Sequence, residues 1–351
     1  MSRILKQVAG IDIAQKDFVV CLGRIDDSLR VELYARKMFA NTTKGFEQLR
    51  KWVGEKTLPD PEVLYVMEAT GVYHESLAYY LNDQSCQVSV VLPNRISSFF
   101  KTLQVKTQTD RTMAEAIAQF GLEKRPQVWT RPKKVFRDMR QLTRERDQLV
   151  QTRTIAKNQQ HAEESEAFPN LGTLKRLAQQ IALLDQQENE IKAEIAELIK
   201  QDEQVTVLIK LICSIPGIGK LTASIILAET NGFELIRNKR QLASYAGLDV
   251  LHKESGTSVH TKPRISKKGN KFLRKAMHLP ALAASRHSER FKAIFARYVS
   301  KHGIRMKATV AVQRKLLEMA FSIYKTNMPY DPEYLKKLES SNRDYSLNRL
   351  A

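Results

Sequence analysis

Two groups of residues in this chain have the types and spacing for chemistry. One is Ser255, which stands beside Gly256 and is followed by Lys262, Arg264, Lys267, Lys268, Lys271 and Arg274. Glycine lets the backbone bend and leaves a neighbouring hydroxyl uncovered. Cations at that density repel one another unless a polyanion lies over them. The pattern reads as a serine aimed at a nucleic-acid phosphodiester, or as a solvated basic loop in which Ser255 is one turn residue among many. The other group is Asp12, Glu68 and Asp110. Taken singly, Asp12 closes a turn, Glu68 lies on the surface and Asp110 caps a helix. As a set they suit a hard divalent cation, Mg²⁺ or Mn²⁺, which takes carboxylate oxygens projecting from rigid elements into one cleft.

The elements that must position the carboxylates lie in residues 1–131. Short apolar runs at Val8–Ile13 and Phe18–Leu22, joined by AQKD, read as a hairpin. Asp12 falls inside the first of these strands, where a carboxylate is out of place. Further strands are expected at Val63–Met67, ending on Glu68, and at Val88–Leu92, stopped by Pro93. Helical patterns occupy Lys44–Val53 and His74–Leu81, and Ala114, Ile117, Ala118 and Gly121 line one face of a later helix, with Asp110 at its N-cap. A hairpin followed by strands alternating with helices implies an α/β domain with a mixed sheet.

Residues 132–204 turn to Gln, Glu, Arg and Lys with apolar positions every seven residues: Val135, Leu142, Leu149 and Ala156. After a break at Pro169 the series resumes at Leu177, Ile181, Leu184, Ile191, Ile195, Leu198 and Val205, with Glu188 and Asp202 as polar interruptions. This predicts two helices forming a coiled-coil hairpin, within one chain or between copies. In residues 205–330, apolar runs flank Pro-Gly-Ile-Gly-Lys at 216–220. Two helices joined by such a turn make a helix-hairpin-helix, with Gly217, Gly219 and Lys220 offered to a phosphate or used for packing alone. A helix then ends at Gly247, Ser266 reads as a helix cap, and further helices are expected at Phe272–Ala284, Phe291–Val299 and Thr309–Tyr324. Residues 331–351 form a polar tail.

Composition limits the partners. The chain of 351 residues carries a formal charge of +19. Between Arg237 and Lys325 there are 21 lysines and arginines against 4 acidic residues, the electrostatic footprint of a nucleic-acid-binding surface. The three cysteines, Cys21, Cys86 and Cys213, show no ligand spacing and read as reduced thiols. The most apolar run, Val205–Ala228, contains Lys210, Pro216 and Lys220, so no membrane span is expected, nor a secretory h-region. A cytoplasmic protein follows.

GIDIAQKDF, MEATGVYH, VVLPNRISSFFK and KTQTDRTMAEAIAQFG, in that order, resemble the ribonuclease H-like (RuvC-like) domain of the DEDD insertion-sequence transposases. SIPGIGKLTASIILAE, LASYAGL, the ESG triplet and RISKKGNKFLR resemble the second, serine-bearing transposase domain of the same family. The resemblance implies a DNA transposase that cuts and rejoins DNA through a covalent phosphoserine at Ser255. It implies a metal site at Asp12, Glu68 and Asp110, and DNA contacts that include Lys106 and the cations after Ser255. It also implies a bridge RNA as guide, and homo-oligomers in which the acidic cleft of one subunit meets the serine of another. The family places its fourth carboxylate in a T-D-x-x-D-A pattern, where this chain has Met113. An aspartate at 113 is expected to leave folding intact and to preserve or raise metal affinity. Two other classes stay open: a metal-dependent, junction-resolvase-like nuclease, and a catalytically impaired nucleic-acid-binding relative.

Overall fold

The computed structural model of the chain describes residues 3–69, 71–103, 105, 107–234, 236–251, 254–255, 259–260 and 264–334, with the backbone alone for 254, 255, 259 and 260. Two compact units divide it, Met1–Arg131 and Pro132–Ala351.

In the first unit the apolar runs form β1 (Ile4–Ile13), β2 (Asp17–Asp26), β4 (Val63–Glu68) and β5 (Gln87–Val91). A further strand, β3 (Val31–Ala40), completes a five-stranded sheet of order β3-β2-β1-β4-β5. β3 was not expected. It is an edge strand, only Phe39 is buried, and it lacks the apolar run that marks the others. β1 pairs antiparallel with β2 and parallel with β4, which pairs parallel with β5. The sheet is mixed, as expected of the α/β domain read from the sequence.

Alternation along β1 sorts its side chains onto two faces. Ala9, Ile11 and Ile13 pack with Phe46 and Leu49 of α1 (Thr43–Lys56) and Leu77 of α2 (Glu75–Asp83). Val8 packs on the other face with Ile96 and Phe99 of α3 (Pro93–Phe100) and with Ala114 and Ile117 of α4 (Asp110–Glu123).

The second unit is helical. α5 (Lys134–Glu164) and α6 (Leu171–Lys200) form the expected hairpin. It is antiparallel, since Arg153 pairs with Asp185 and Arg146 with Glu188. Glu188 lies in the seam, 3% exposed, and is held by Arg146, Arg153 and Lys192 at 2.7, 2.5 and 2.9 Å. The seam does not run through Asp202. Its carboxylate accepts from the Val205 amide at 3.1 Å and starts a separate helix, α7 (Glu203–Cys213), so a cap stands where the period suggested an interruption.

α8 (Lys220–Thr230), α9 (Lys239–Tyr245), α10 (Lys271–Ala276), α11 (His278–His287), α12 (Glu289–His302) and α13 (Arg305–Thr326) complete the unit. Phe136 and Met139 of α5 share one core with Ile212, Ile226, Leu273 and Leu316. The base of the hairpin is thereby built into the C-terminal helices. Between α9 and α10 stand four two-residue strands, unforeseen in the sequence: β6 (Val250–Leu251) pairs with β9 (Arg264–Ile265), and β7 (Glu254–Ser255) with β8 (Val259–His260), both antiparallel.

Candidate metal centre and nucleic-acid surface

The carboxylates are brought together by register and by glycine. β1 and β4 run parallel with Gly10 opposite Val66 and Ile11 opposite Met67, so Asp12 and Glu68 are neighbours at the same strand ends. Both share the parity of Val8 and Val66, the residues that face α4. α4 lies close against this face. A Cβ on Gly10 would come within 2.2 Å of the Ala118 nitrogen, and one on Gly121 within 2.7 Å of Val8 Cγ1. Since Gly121 meets Val8 and residues 114 and 118 meet Gly10, the helix runs antiparallel to β1. Its N-terminal Asp110 therefore lies beyond Gly10, toward Asp12.

Electrostatics agrees with this placement. The Asp12 carboxyl is pushed up to about 6, first by burial and then by the charges of Asp110 and Glu68, against a lowering hydrogen bond from the Ile13 amide. Asp110 is not the cap of α4. Thr109 accepts from the Thr112 amide at 3.3 Å, and Thr112 Oγ1 accepts from the Thr109 amide at 2.9 Å, a closed capping box. Asp110 is the exposed first residue of the helix, its carboxylate not needed for capping.

Met113, 9% exposed, belongs to the core with Ile96, Phe99 and Ile117, and its sulfur accepts from Gln108 Nε2 at 3.4 Å. The expectation that an aspartate there would leave folding intact is corrected by this burial. Glu115 does not take its place, being paired with Arg36 at 2.5 Å and Arg111 at 3.6 Å. Among the described residues, no three acidic, histidine or cysteine side chains are gathered closely enough to hold a metal ion. Asp12 feels the charges of Asp110 and Glu68, but the three do not converge on a point. As a donor set they still fit a hard divalent cation, whose charge would offset both the burial and the neighbouring charges that raise Asp12.

On the second unit, Ser255 ends β7, its backbone paired with Val259. Its side chain, with Gly256, Lys106 and Lys262, lies outside the described residues. The two glycines of the 216–220 turn differ. Gly217, at φ +86, is pressed against α11, where a Cβ would meet the Pro280 carbonyl at 2.5 Å, so packing alone requires it. Gly219 faces open space and precedes α8 without any side-chain cap, and Lys220 beside it is exposed.

Arg264, Lys267, Lys268 and Lys271 are exposed. Arg274 is half-buried and spends Nη1 on the Ala246 carbonyl at 2.9 Å, at the C-terminal end of α9. Ser266 does not cap a helix. Its hydroxyl pairs with Asp249, and Asn270 caps α10 by accepting from the Leu273 amide at 2.9 Å. Sequence reasoning also missed the buried Glu229 beside this loop, held by partly exposed Arg144 and Asn270. Its only sequence signal is an acid at the end of the apolar stretch SIILAE.

A sequence model described as Transposase IS116/IS110/IS902 family matches residues 209–296. An IS110-type DEDD transposase model matches residues 9–169, which include all three carboxylates. Both matches are to transposases of the IS110 type. Pilin gene-inverting proteins of Moraxella lacunata and Moraxella bovis are each 29% identical to this chain over 93% of its length and 98% of theirs. The transposase for insertion sequence element IS1328 of Yersinia enterocolitica is 28% identical over 62% of this chain and 69% of its own. Among solved structures, T. thermophilus RuvC in complex with a Holliday junction substrate is similar at 12% identity and a TM-score of 0.24. It covers 34% of this chain and 83% of its own. A score that low carries no argument for the fold. No described helix is long and apolar enough to cross a membrane.

Proposed function

We propose that this chain is a transposase that cuts and rejoins DNA by covalent catalysis, with Ser255 as nucleophile and Asp12, Glu68 and Asp110 as the acidic centre. The observation that supports the reading is that Asp12 and Glu68 stand at neighbouring parallel strand ends with Asp110 near enough that the charges of both add to burial in raising Asp12 to about 6. Those three residues would hold Mg²⁺ or Mn²⁺, which when bound supplies positive charge to the transferring phosphoryl group. The Ser255 oxygen bonds to phosphorus as the DNA oxygen leaves with a proton, and the energy of the phosphodiester is kept for rejoining. Exposed Lys220, Arg264, Lys267, Lys268 and Lys271 position the DNA through its phosphates. Gly219, open at the start of α8, suits a phosphate contact of the helix-hairpin-helix kind. Guidance by a bridge RNA fits a basic surface without a base-reading motif. Assembly of copies through the α5–α6 hairpin, as a coiled coil, fits its exposed Ile155 and Leu183.

A second reading is metal-dependent hydrolysis, with Ser255 only lining the DNA. It is favoured by Asp12, since a carboxylate with a pKa of about 6 suits activation of water. DNA cleavage by the full chain, with RNA and Mg²⁺ supplied, separates the two. Cleavage lost in both Asp12→Asn and Ser255→Ala supports covalent catalysis. Cleavage lost in Asp12→Asn but kept in Ser255→Ala supports hydrolysis, and no cleavage by the wild type refutes both.

A further inference from the structure

The last turn of α8 buries a carboxylate completely: the Glu229 side chain has 0% exposure. A buried ion is tolerated only when its oxygens are fully hydrogen-bonded. Arg144 of α5 donates Nε to Oε1 and Nη2 to Oε2, each at 2.8 Å. Asn270 donates Nδ2 to Oε2 at 2.6 Å. The Tyr245 hydroxyl donates to the Glu229 carbonyl at 2.7 Å, and the Asn270 amide donates to the Tyr245 carbonyl at 2.7 Å. Asn270 Oδ1 meanwhile caps α10. Glu229 thus ties α8 to α5 and to the start of α10 through its carboxylate, and to the end of α9 through its backbone carbonyl.

The segment held by these bonds is Ser266 to Asn270. Its backbone is fixed at close quarters: Lys267 sits at φ +53 and donates its amide to the Gly247 carbonyl at 3.1 Å. Gly269 lies at φ +156, where a Cβ would meet the Tyr245 carbonyl at 2.4 Å. The side chains of Lys267, Lys268 and Lys271 are exposed, and none makes an ion pair among the described residues. Neighbouring ammonium groups on a backbone that cannot relax cost free energy unless an anion lies over them. An anion that finds them already placed loses less in ordering them.

We propose that Glu229, acting through Asn270 and Arg144, is a positioning residue that pre-organises Lys267, Lys268 and Lys271 as a phosphate platform for DNA. The inference rests on the reading of this surface as a DNA contact. Glu229 touches no substrate, and its effect is on the geometry of cations up to 42 residues away in sequence.

The test is the affinity of the full chain for a fluorescein-labelled DNA duplex across a series of salt concentrations, below the melting temperature of each variant. Lys267→Ala, Lys268→Ala and Lys271→Ala should each weaken binding and lower the slope of log K against log salt by about 0.9, the contribution of one phosphate contact. Glu229→Gln removes a negative charge, so charge alone would tighten binding. Loss of positioning instead weakens it by on the order of tenfold, with a slope lower by about 2 as more than one contact is lost together. Asn270→Ser keeps a competent helix cap and the Arg144–Glu229 pair while removing the amide donor, so it folds even if Glu229→Gln does not, and it should weaken binding in the same way.

If the lysine variants weaken binding while folded Glu229→Gln and Asn270→Ser bind as tightly as the wild type or tighter, the positioning role is overturned and the DNA surface stands. If the lysine variants bind with the wild-type slope, the surface is not a DNA contact and the inference falls with it.

Discussion

Removing a charge from the acidic centre should stabilise the protein when no metal is present. Asp12 ionises at about 6 in the folded chain instead of its usual 3.8, a difference of roughly two units. At about 1.4 kcal/mol per unit the ceiling is about 3 kcal/mol. Asp12 is only half-buried, so solvent screening brings the expected effect to about 1–1.5 kcal/mol. A raised carboxylate pKa favours the folded state fully below the unfolded value, and this contribution is lost as pH rises through the folded one. Asp12→Asn should therefore match the wild type near pH 4 and exceed it above pH 6, by roughly 3–6 °C in melting temperature.

Both tryptophans, Trp52 and Trp129, belong to the first unit. Their fluorescence during a thermal melt in EDTA thus reports that unit alone. Adding Mg²⁺ should reverse the order at pH 7.5, raising the wild type and leaving Asp12→Asn unmoved. A variant less stable than the wild type in EDTA at that pH, or one stabilised by Mg²⁺ to the same degree, would refute the reasoning.

Three further outcomes are expected. Met113→Asp puts a carboxylate into the core beside Ile96 and Phe99 and should cost about 2–4 kcal/mol, read from the same tryptophan melt. Gly10→Ala forces α4 away from β1 and should cost about 3 kcal/mol while weakening the Mg²⁺ response. Glu188→Ala leaves Arg146 without its carboxylate and Arg153 with Asp185 alone in the hairpin seam and should cost about 3 kcal/mol by circular dichroism. The Glu188 carboxyl is itself held near 2, since burial raises it but Lys192, Arg146 and Arg153 together lower it further. Its contribution is therefore present above the ordinary carboxylate range and is lost as pH falls toward 2.

Much of the acidic centre was legible because strand ends are written in apolar runs. Val8–Ile13 and Val63–Met67 mark two buried strands, and Asp12 and Glu68 stand where those runs close. Polar β3 left no such mark. The periodicity that revealed the α5–α6 hairpin concealed its end, since Val205 continues the seven-residue series while Asp202 caps a new helix. Met113 could not be placed from helical spacing alone. Positions 110 and 113 share one side of a helix, but Asp110 is solvent-exposed at its first residue whereas Met113 is already under the sheet. The Glu229–Asn270 bond joins residues 41 positions apart. No local pattern encodes such a pairing, and only the packing of α8 against α10 brings it about.

The central claim, a serine that joins itself to DNA, is tested most directly by trapping. The full chain is incubated with Mg²⁺, the RNA transcribed beside its element and a DNA carrying the element's junction, then denatured and resolved beside Ser255→Ala. A covalent protein–DNA adduct in the wild type that is absent from Ser255→Ala is the expected result. Cleaved DNA with no adduct in either sample would contradict it.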